Sequence, residues 1–389
     1  MMKQTSYLAK TVDSLKPSGI RRFFDLASKM DNVISLGVGE PDFVTPWNVI
    51  EASYHSLEQG YTAYTANAGL LELRVEISKY LEQNFNVSYN PENQLIVTVG
   101  ASQAIDLALR AILNPGEEVI VVTPSFVSYA PSVTLAGGAP VIIDTDPDNE
   151  FKVRPEQIEQ AITDKTKAIM LCSPNNPTGT VLSKAELEKI AAVIKKHDLL
   201  VISDEIYAEL AYDERAISIA SLPGMSERTI LISGFSKAFA MTGWRLGYAA
   251  GPVEILQAMT KIHQYTIMCA PTMAQHGALE ALRNGGNSVQ KMKMSYQQRR
   301  NLVVKAFNEM GLDCHNPGGA FYVFPSIKKT GLSSESFAEQ LLQKERVAVV
   351  PGNVFGQSGE GYIRCSYATS LKQLDESMKR ISKFVEKLK

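Results

Sequence analysis

Between residues 94 and 232, short runs rich in valine and isoleucine alternate with longer amphipathic stretches, and no other feature restricts the fold as much. The runs are QLIVTV at 94–99, EVIVV at 118–122, PVII at 140–143, AIMLC at 168–172, LLVIS at 199–203 and TILI at 229–232. Runs this short and this apolar suit strands covered on both faces. The stretches between them have helical spacing, as at 102–113 and at 184–197, where Leu187, Ile190, Ala191 and Ile194 share one side. Strands alternating with helices predict an α/β fold, a mostly parallel central sheet flanked by helices with right-handed crossovers. In such a sheet, ligands sit beyond the carboxyl ends of the strands.

The end of the chain has a different texture. GGAFYVF at 318–324, RVAVVPG at 346–352 and GYIRCSYA at 361–368 read as strands, and Leu371, Leu374, Met378, Ile381, Val385 and Leu388 form one stripe of a final helix. A chain of 389 residues exceeds one typical core. The expected division is a large domain over 46–285 and a smaller α+β domain from 1–45 and 286–389, with the N-terminus as an arm.

Charge narrows the partners. Lysine plus arginine (39) nearly balances aspartate plus glutamate (41), and no basic stripe is present, so nucleic acid is not an expected partner. No long apolar run or leader-like N-terminus occurs, so neither a membrane span nor secretion is expected. Cys172, Cys269, Cys314 and Cys365 form no CxxC pair and fit a reducing, cytoplasmic setting. The five histidines lack ligand spacing, so no metal is expected.

The residues after three central runs carry the chemistry. SPNNPTG (173–179) follows AIMLC, DEIY (204–207) follows LLVIS, and SGFSK (233–237), then Arg245, follow TILI. Singly these are ordinary: NNPTG is a turn, Asp204 a helix cap, and a lone lysine is usually solvated. Together they meet the needs of one cofactor, pyridoxal 5′-phosphate (PLP). Its aldehyde takes a lysine amine, its pyridine nitrogen a carboxylate, its phenolic oxygen a tyrosine hydroxyl and an amide, and its phosphate an arginine, hydroxyls and a helix N-terminus.

From SLGVGEPDF (35–43) to YIRCSYAT (362–369), the chain resembles the fold-type I PLP enzymes, and among them the class I and II aminotransferases. NNPTG, SDEIY and SGFSKAFAMTGWRLGYAAGP (233–252) carry the resemblance. It implies that Lys237 is the Schiff-base lysine and proton carrier, Asp204 the pyridine-nitrogen partner, and Tyr207 and Asn176 the groups on the phenolic oxygen. It makes Arg245, Ser233 and Ser236 phosphate ligands, with Ala101 and Ser102 opening the helix whose amides meet the same phosphate. Phe126 is similar to the aromatic residue that stacks on the ring. Tyr64 resembles the tyrosine that reaches the neighbouring subunit's phosphate, which implies a homodimer with shared sites.

For the substrate, the resemblance makes Arg364 the clamp on the α-carboxylate, with an exposed strand residue as the lesser alternative. Asn176 joins it, and Gly39 lets the carboxylate approach the backbone. The implied reaction moves an amino group between an L-amino acid and a 2-oxo acid, with 2-oxoglutarate as the expected acceptor. Ser102 stands where some bacterial aspartate aminotransferases carry a lysine for a distal carboxylate. GIRRFFDLASKM (19–30) and GFSKAFAMTGWRLG (234–247) resemble bacterial aminotransferase A, associated with N-acetyl-LL-diaminopimelate in lysine synthesis, and archaeal aromatic aminotransferases. Arg21 or Arg22 could meet a distal carboxylate or be plain surface residues. Rival readings are a C–S β-lyase or an aminocyclopropane carboxylate synthase on the same fold, and a PLP-binding regulator. A nicotinamide dehydrogenase is disfavoured because no GxGxxG follows a strand.

Overall fold

The computed structural model describes residues 7–17, 19, 28 and 30–388. Arg21 and Arg22 lie outside the described residues. The first strand, β1 (Ile34–Ser35), lies outside the main sheet. Then come β2 (Leu95–Thr98), β3 (Glu118–Thr123), β4 (Ala139–Asp144), β5 (Thr166–Cys172), β6 (Leu200–Asp204), β7 (Thr229–Gly234) and β8 (Gly247–Ala250). These seven form one sheet in the order β2-β8-β7-β6-β5-β3-β4. Pairing is parallel from β7 through β6 and β5 to β3 and β4. Each apolar run is therefore a strand, and the middle of the sheet is covered on both faces: Val201, Ile202, Ile230, Leu231 and Ile232 are fully buried.

β8 is the exception to the sequence reading. Its four residues, GYAA, offer little that favours a strand by composition. Antiparallel pairing to β7 on one side and β2 on the other holds it in place.

Helices flank the sheet as the spacing requires. Gly100–Ile112 buries Ala104, Ile105, Leu107, Ala108 and Ile112. Lys184–Lys196 buries Leu187, Ile190, Ala191 and Ile194, and starts at a capping box in which Ser183 and Glu186 satisfy each other's backbone amides.

Outside the seven-stranded sheet are β1, β9 (Tyr322–Val323), β10 (Val347–Ala348), β11 (Val350–Pro351) and β12 (Ile363–Ser366). β1 pairs parallel with β10, and β11, β12 and β9 form an antiparallel sheet. The last helix, Leu371–Glu386, buries Leu374, Met378, Ile381, Phe384 and Val385. Leu371, expected in the stripe, is half exposed, and Phe384 takes part instead. One apolar cluster joins these strands to the loop after β6: Tyr207, Leu210 and Tyr212 pack with Phe321, Tyr322 and Ile363. Among the described residues no helix is long and apolar enough to cross a membrane.

Candidate active site

The carboxyl ends of β5, β6 and β7 open into a cavity of about 320 Å³. Register sets its floor, because Cys172 at the end of β5 lies beside Asp204 at the end of β6. Phe126, Asn176, Tyr207, Ser236, Lys237 and Arg245 line the cavity with Asp204, as do Ala101, Ser102, Gly39 and Arg364.

Asp204 is buried, and burial holds its carboxyl above the usual range against the hydrogen bonds that lower it. The Tyr129 hydroxyl donates to one oxygen at 2.6 Å and the Ile206 amide to the other at 3.2 Å. A carboxylate kept from water in this way gains by facing a cation, and a protonated pyridine nitrogen is one. Tyr129 was not singled out in the sequence. The only signal available was a second aromatic residue three positions after Phe126, and the two rings meet edge-on at 5.7 Å.

Lys237 donates to the Gly39 carbonyl at 2.6 Å. Its amine is pushed down to about 8, first by burial and then by Arg364, while Glu40 and Asp204 oppose the shift.

An anion cradle forms at the start of helix Gly100–Ile112. Gly100 has φ +77°, and a Cβ there would stand 2.6 Å from an Arg245 guanidinium nitrogen. Glycine thus admits both the backbone turn and the arginine. Arg245 is itself anchored through Nη1 to the Thr242 carbonyl at 2.9 Å. With Ser102 and Ser236 nearby, the free amides of the helix start and this guanidinium suit a phosphate.

Arg364 is 3% exposed, so the exposed-strand reading does not hold. One nitrogen donates to Asn176 Oδ1 at 2.9 Å and another to the Gly37 carbonyl at 2.6 Å. Its buried Nε has no hydrogen-bond partner. A guanidinium has five N–H donors, so donors remain for a carboxylate in the cavity. The guanidinium also lies over the rings of Tyr322, at 4.5 Å, and Phe355, at 5.0 Å. Tyr322 also lines the cavity without any sign of it in the sequence. It stood inside a strand-like segment with nothing to show which face it would present.

Two expected residues are not brought to the cavity. The Ser233 hydroxyl donates to the Glu205 carbonyl at 3.4 Å, because its place within β7 turns it away from the rim. Tyr64 is 77% exposed and lines no part of the cavity within its own chain.

The donor set fits PLP at each of its polar groups: an amine, a buried carboxylate, a phenol with an amide, and a helix-start cradle. The chain matches the family described as aminotransferase class I and II over residues 31–381. YugH of Bacillus subtilis (strain 168), an aminotransferase by provisional name, is 66% identical over 98% of this chain and 99% of its own. The aspartate aminotransferase of Pyrococcus abyssi (strain GE5 / Orsay) is 48% identical over 98% of this chain and 99% of its own. The solved aromatic aminotransferase from Pyrococcus horikoshii OT3 superposes with a TM-score of 0.90 at 47% identity, covering 95% and 99% of the two chains. The chain belongs to the class I and II aminotransferases, and is a PLP-dependent transaminase.

Proposed function

We propose that the cavity holds PLP through Lys237, Asp204, Tyr207 and the Gly100–Arg245 cradle, and holds the substrate α-carboxylate through Arg364 and Asn176. When bound, PLP supplies an aldehyde that exchanges amine partners and a protonated ring that draws off the electron pair left at the substrate Cα. Asp204 keeps the ring nitrogen protonated by giving it a carboxylate in a dry setting. Tyr207 and Asn176 donate to the ring oxygen, and Phe126 covers one ring face. Lys237, displaced by the incoming amino group, takes the proton from Cα and returns it to the former aldehyde carbon. An amine near 8 is free of its proton far more often at neutral pH than an ordinary lysine, which suits a general base. The single observation that carries this reading is that a depressed lysine, a buried carboxylate and an arginine with a spare donor share one cavity.

The proposed acceptor is 2-oxoglutarate, with glutamate as its product. N-acetyl-LL-diaminopimelate is the proposed first donor, on the likeness of the N-terminal segment, and would place the enzyme in lysine synthesis. A second reading, aromatic donors, draws support from the lining: Phe126, Tyr129 and Tyr322 face the cavity, and Ser102 supplies no charge for a distal carboxylate. The apolar side chains Val44, Trp47, Tyr64 and Tyr265, each more than 70% exposed, support a homodimer in which Tyr64 serves the neighbouring site. We also place the division of the chain at 46 and 286, and the enzyme in the cytoplasm.

The test is a half-reaction screen. Holoenzyme is mixed with N-acetyl-LL-diaminopimelate, glutamate, tyrosine, phenylalanine, aspartate and alanine in turn, and formation of pyridoxamine phosphate is followed. Conversion by at least one donor is expected, and none with Lys237→Ala. Release of ammonia or pyruvate in place of pyridoxamine phosphate would point to an eliminating enzyme on this fold.

A further inference from the structure

Tyr322 is given no role toward the cofactor or the α-carboxylate above, yet it lies against three residues that have one. It sits on β9, 1% exposed, with Ser366 of β12 as its register partner. Its hydroxyl lies 2.8 Å from the Tyr207 hydroxyl. Its ring supports the Arg364 guanidinium at 4.5 Å. A Cβ on Gly39 would stand 2.7 Å from that same hydroxyl but 3.6 Å from the ring carbon bearing it. The charged and titratable groups around Tyr322 are Arg364 from β12, Tyr207 from the turn after β6 and Cys172 from β5.

We propose that Tyr322 is a positioning residue coupling the cofactor half of the site to the substrate half, with its hydroxyl setting Tyr207 and Gly39 and its ring setting Arg364. This rests on the function proposed above.

A proton count supports the first link. A phenol has one proton to give. If Tyr207 donates to the ring oxygen of PLP, its own oxygen must accept in the 2.8 Å contact, so Tyr322 is the donor there. An accepted bond strengthens the one donated onward. The second link concerns Gly39. Its backbone is not in the left-handed region, so an alanine would suit the backbone and be refused by one atom, the Tyr322 oxygen. The third link is the ring, which helps hold the buried guanidinium in one plane beside Asn176.

The experiment compares five holoenzymes: wild type, Tyr322→Phe, Tyr322→Leu, Gly39→Ala and the double variant Gly39→Ala/Tyr322→Phe. Tyr322→Phe keeps the ring, so the donor KM should stay within about twofold while kcat falls roughly threefold to tenfold. With a weaker donor on the ring oxygen, more negative charge remains there to hold the proton of the lysine-bound cofactor. The pH midpoint of its visible band should therefore rise by about 0.3 unit. Tyr322→Leu removes the ring and should raise the donor KM about tenfold. Gly39→Ala should lower kcat/KM by at least about tenfold, because the Tyr322 oxygen must shift. In the Tyr322→Phe background the same change should cost at least about threefold less than in wild type, since the hydroxyl is gone and the remaining ring contact is ordinary.

A merely structural Tyr322 would change the melting temperature of Tyr322→Phe and leave the band midpoint where it was. An unmoved midpoint with wild-type kcat, or a Gly39→Ala change that costs as much in the Tyr322→Phe background as in wild type, overturns the proposal while the wild type still forms pyridoxamine phosphate. A wild type with no visible band overturns both this and the function on which it rests.

Discussion

Asp204 and Glu205 follow one another at the end of β6, both 5% exposed, yet they face different surroundings. Asp204 lines the cavity, takes hydrogen bonds from Tyr129 and Ile206, and feels the Lys237 charge. Glu205 is absent from the lining and accepts from the Ser203 and Ser218 hydroxyls at 2.8 and 2.7 Å. Burial raises both, and Glu205 reaches about 7. Burial and a raised carboxyl are therefore not what marks a functional acid. The difference is an open cavity with a nearby amine on one side, and a closed pair of neutral donors on the other.

The sharpest way to break this contrast is to remove the charge from each. Asp204→Asn should keep the shape but lose the ionic partner of the ring nitrogen, lowering kcat roughly a thousandfold while PLP still binds. Near-normal kcat in that variant would contradict the role. Tyr129→Phe removes one of the two donors that oppose burial at Asp204, and about a fivefold fall in kcat is expected from steady-state kinetics. Glu205→Gln should leave kcat within about threefold of wild type, since Glu205 does not reach the cavity. Its effect belongs to stability. A carboxyl with a folded value near 7 keeps its proton in the fold over a range, starting at about 4.3, where the unfolded chain has lost it. Unfolding then releases a proton, so stability falls as pH rises through that window and levels off above 7. Melting curves at pH 5 and pH 8 should show a drop in wild type that shrinks by about 2 °C or more in Glu205→Gln. An equal drop in both proteins would remove Glu205 as its source.

The same contrast explains what could be read from the sequence. Strand-end positions were legible, because an apolar run followed by polar residues marks both the strand and the rim. Asp204, Lys237 and Asn176 were found that way, and the α/β fold followed from the alternation that exposed them. What escaped depends on contacts far apart in the chain. Tyr129 meets Asp204 across 75 positions, and Tyr207 meets Tyr322 across 115. No local spacing announces such pairs. Ser233 was drawn to the rim by its motif, but strand alternation turned it toward Glu205. β8 escaped for a related reason, since its pairing on both sides does what its composition does not.

The role of Lys237 is checked most directly by finding the lysine that holds the cofactor. Borohydride reduction of the yellow holoenzyme makes that bond permanent, and peptide mass spectrometry then locates the pyridoxyl group. The group is expected on the peptide carrying Lys237 and on no other. A pyridoxyl group on a different lysine, or a holoenzyme that reduction does not label, would contradict that role.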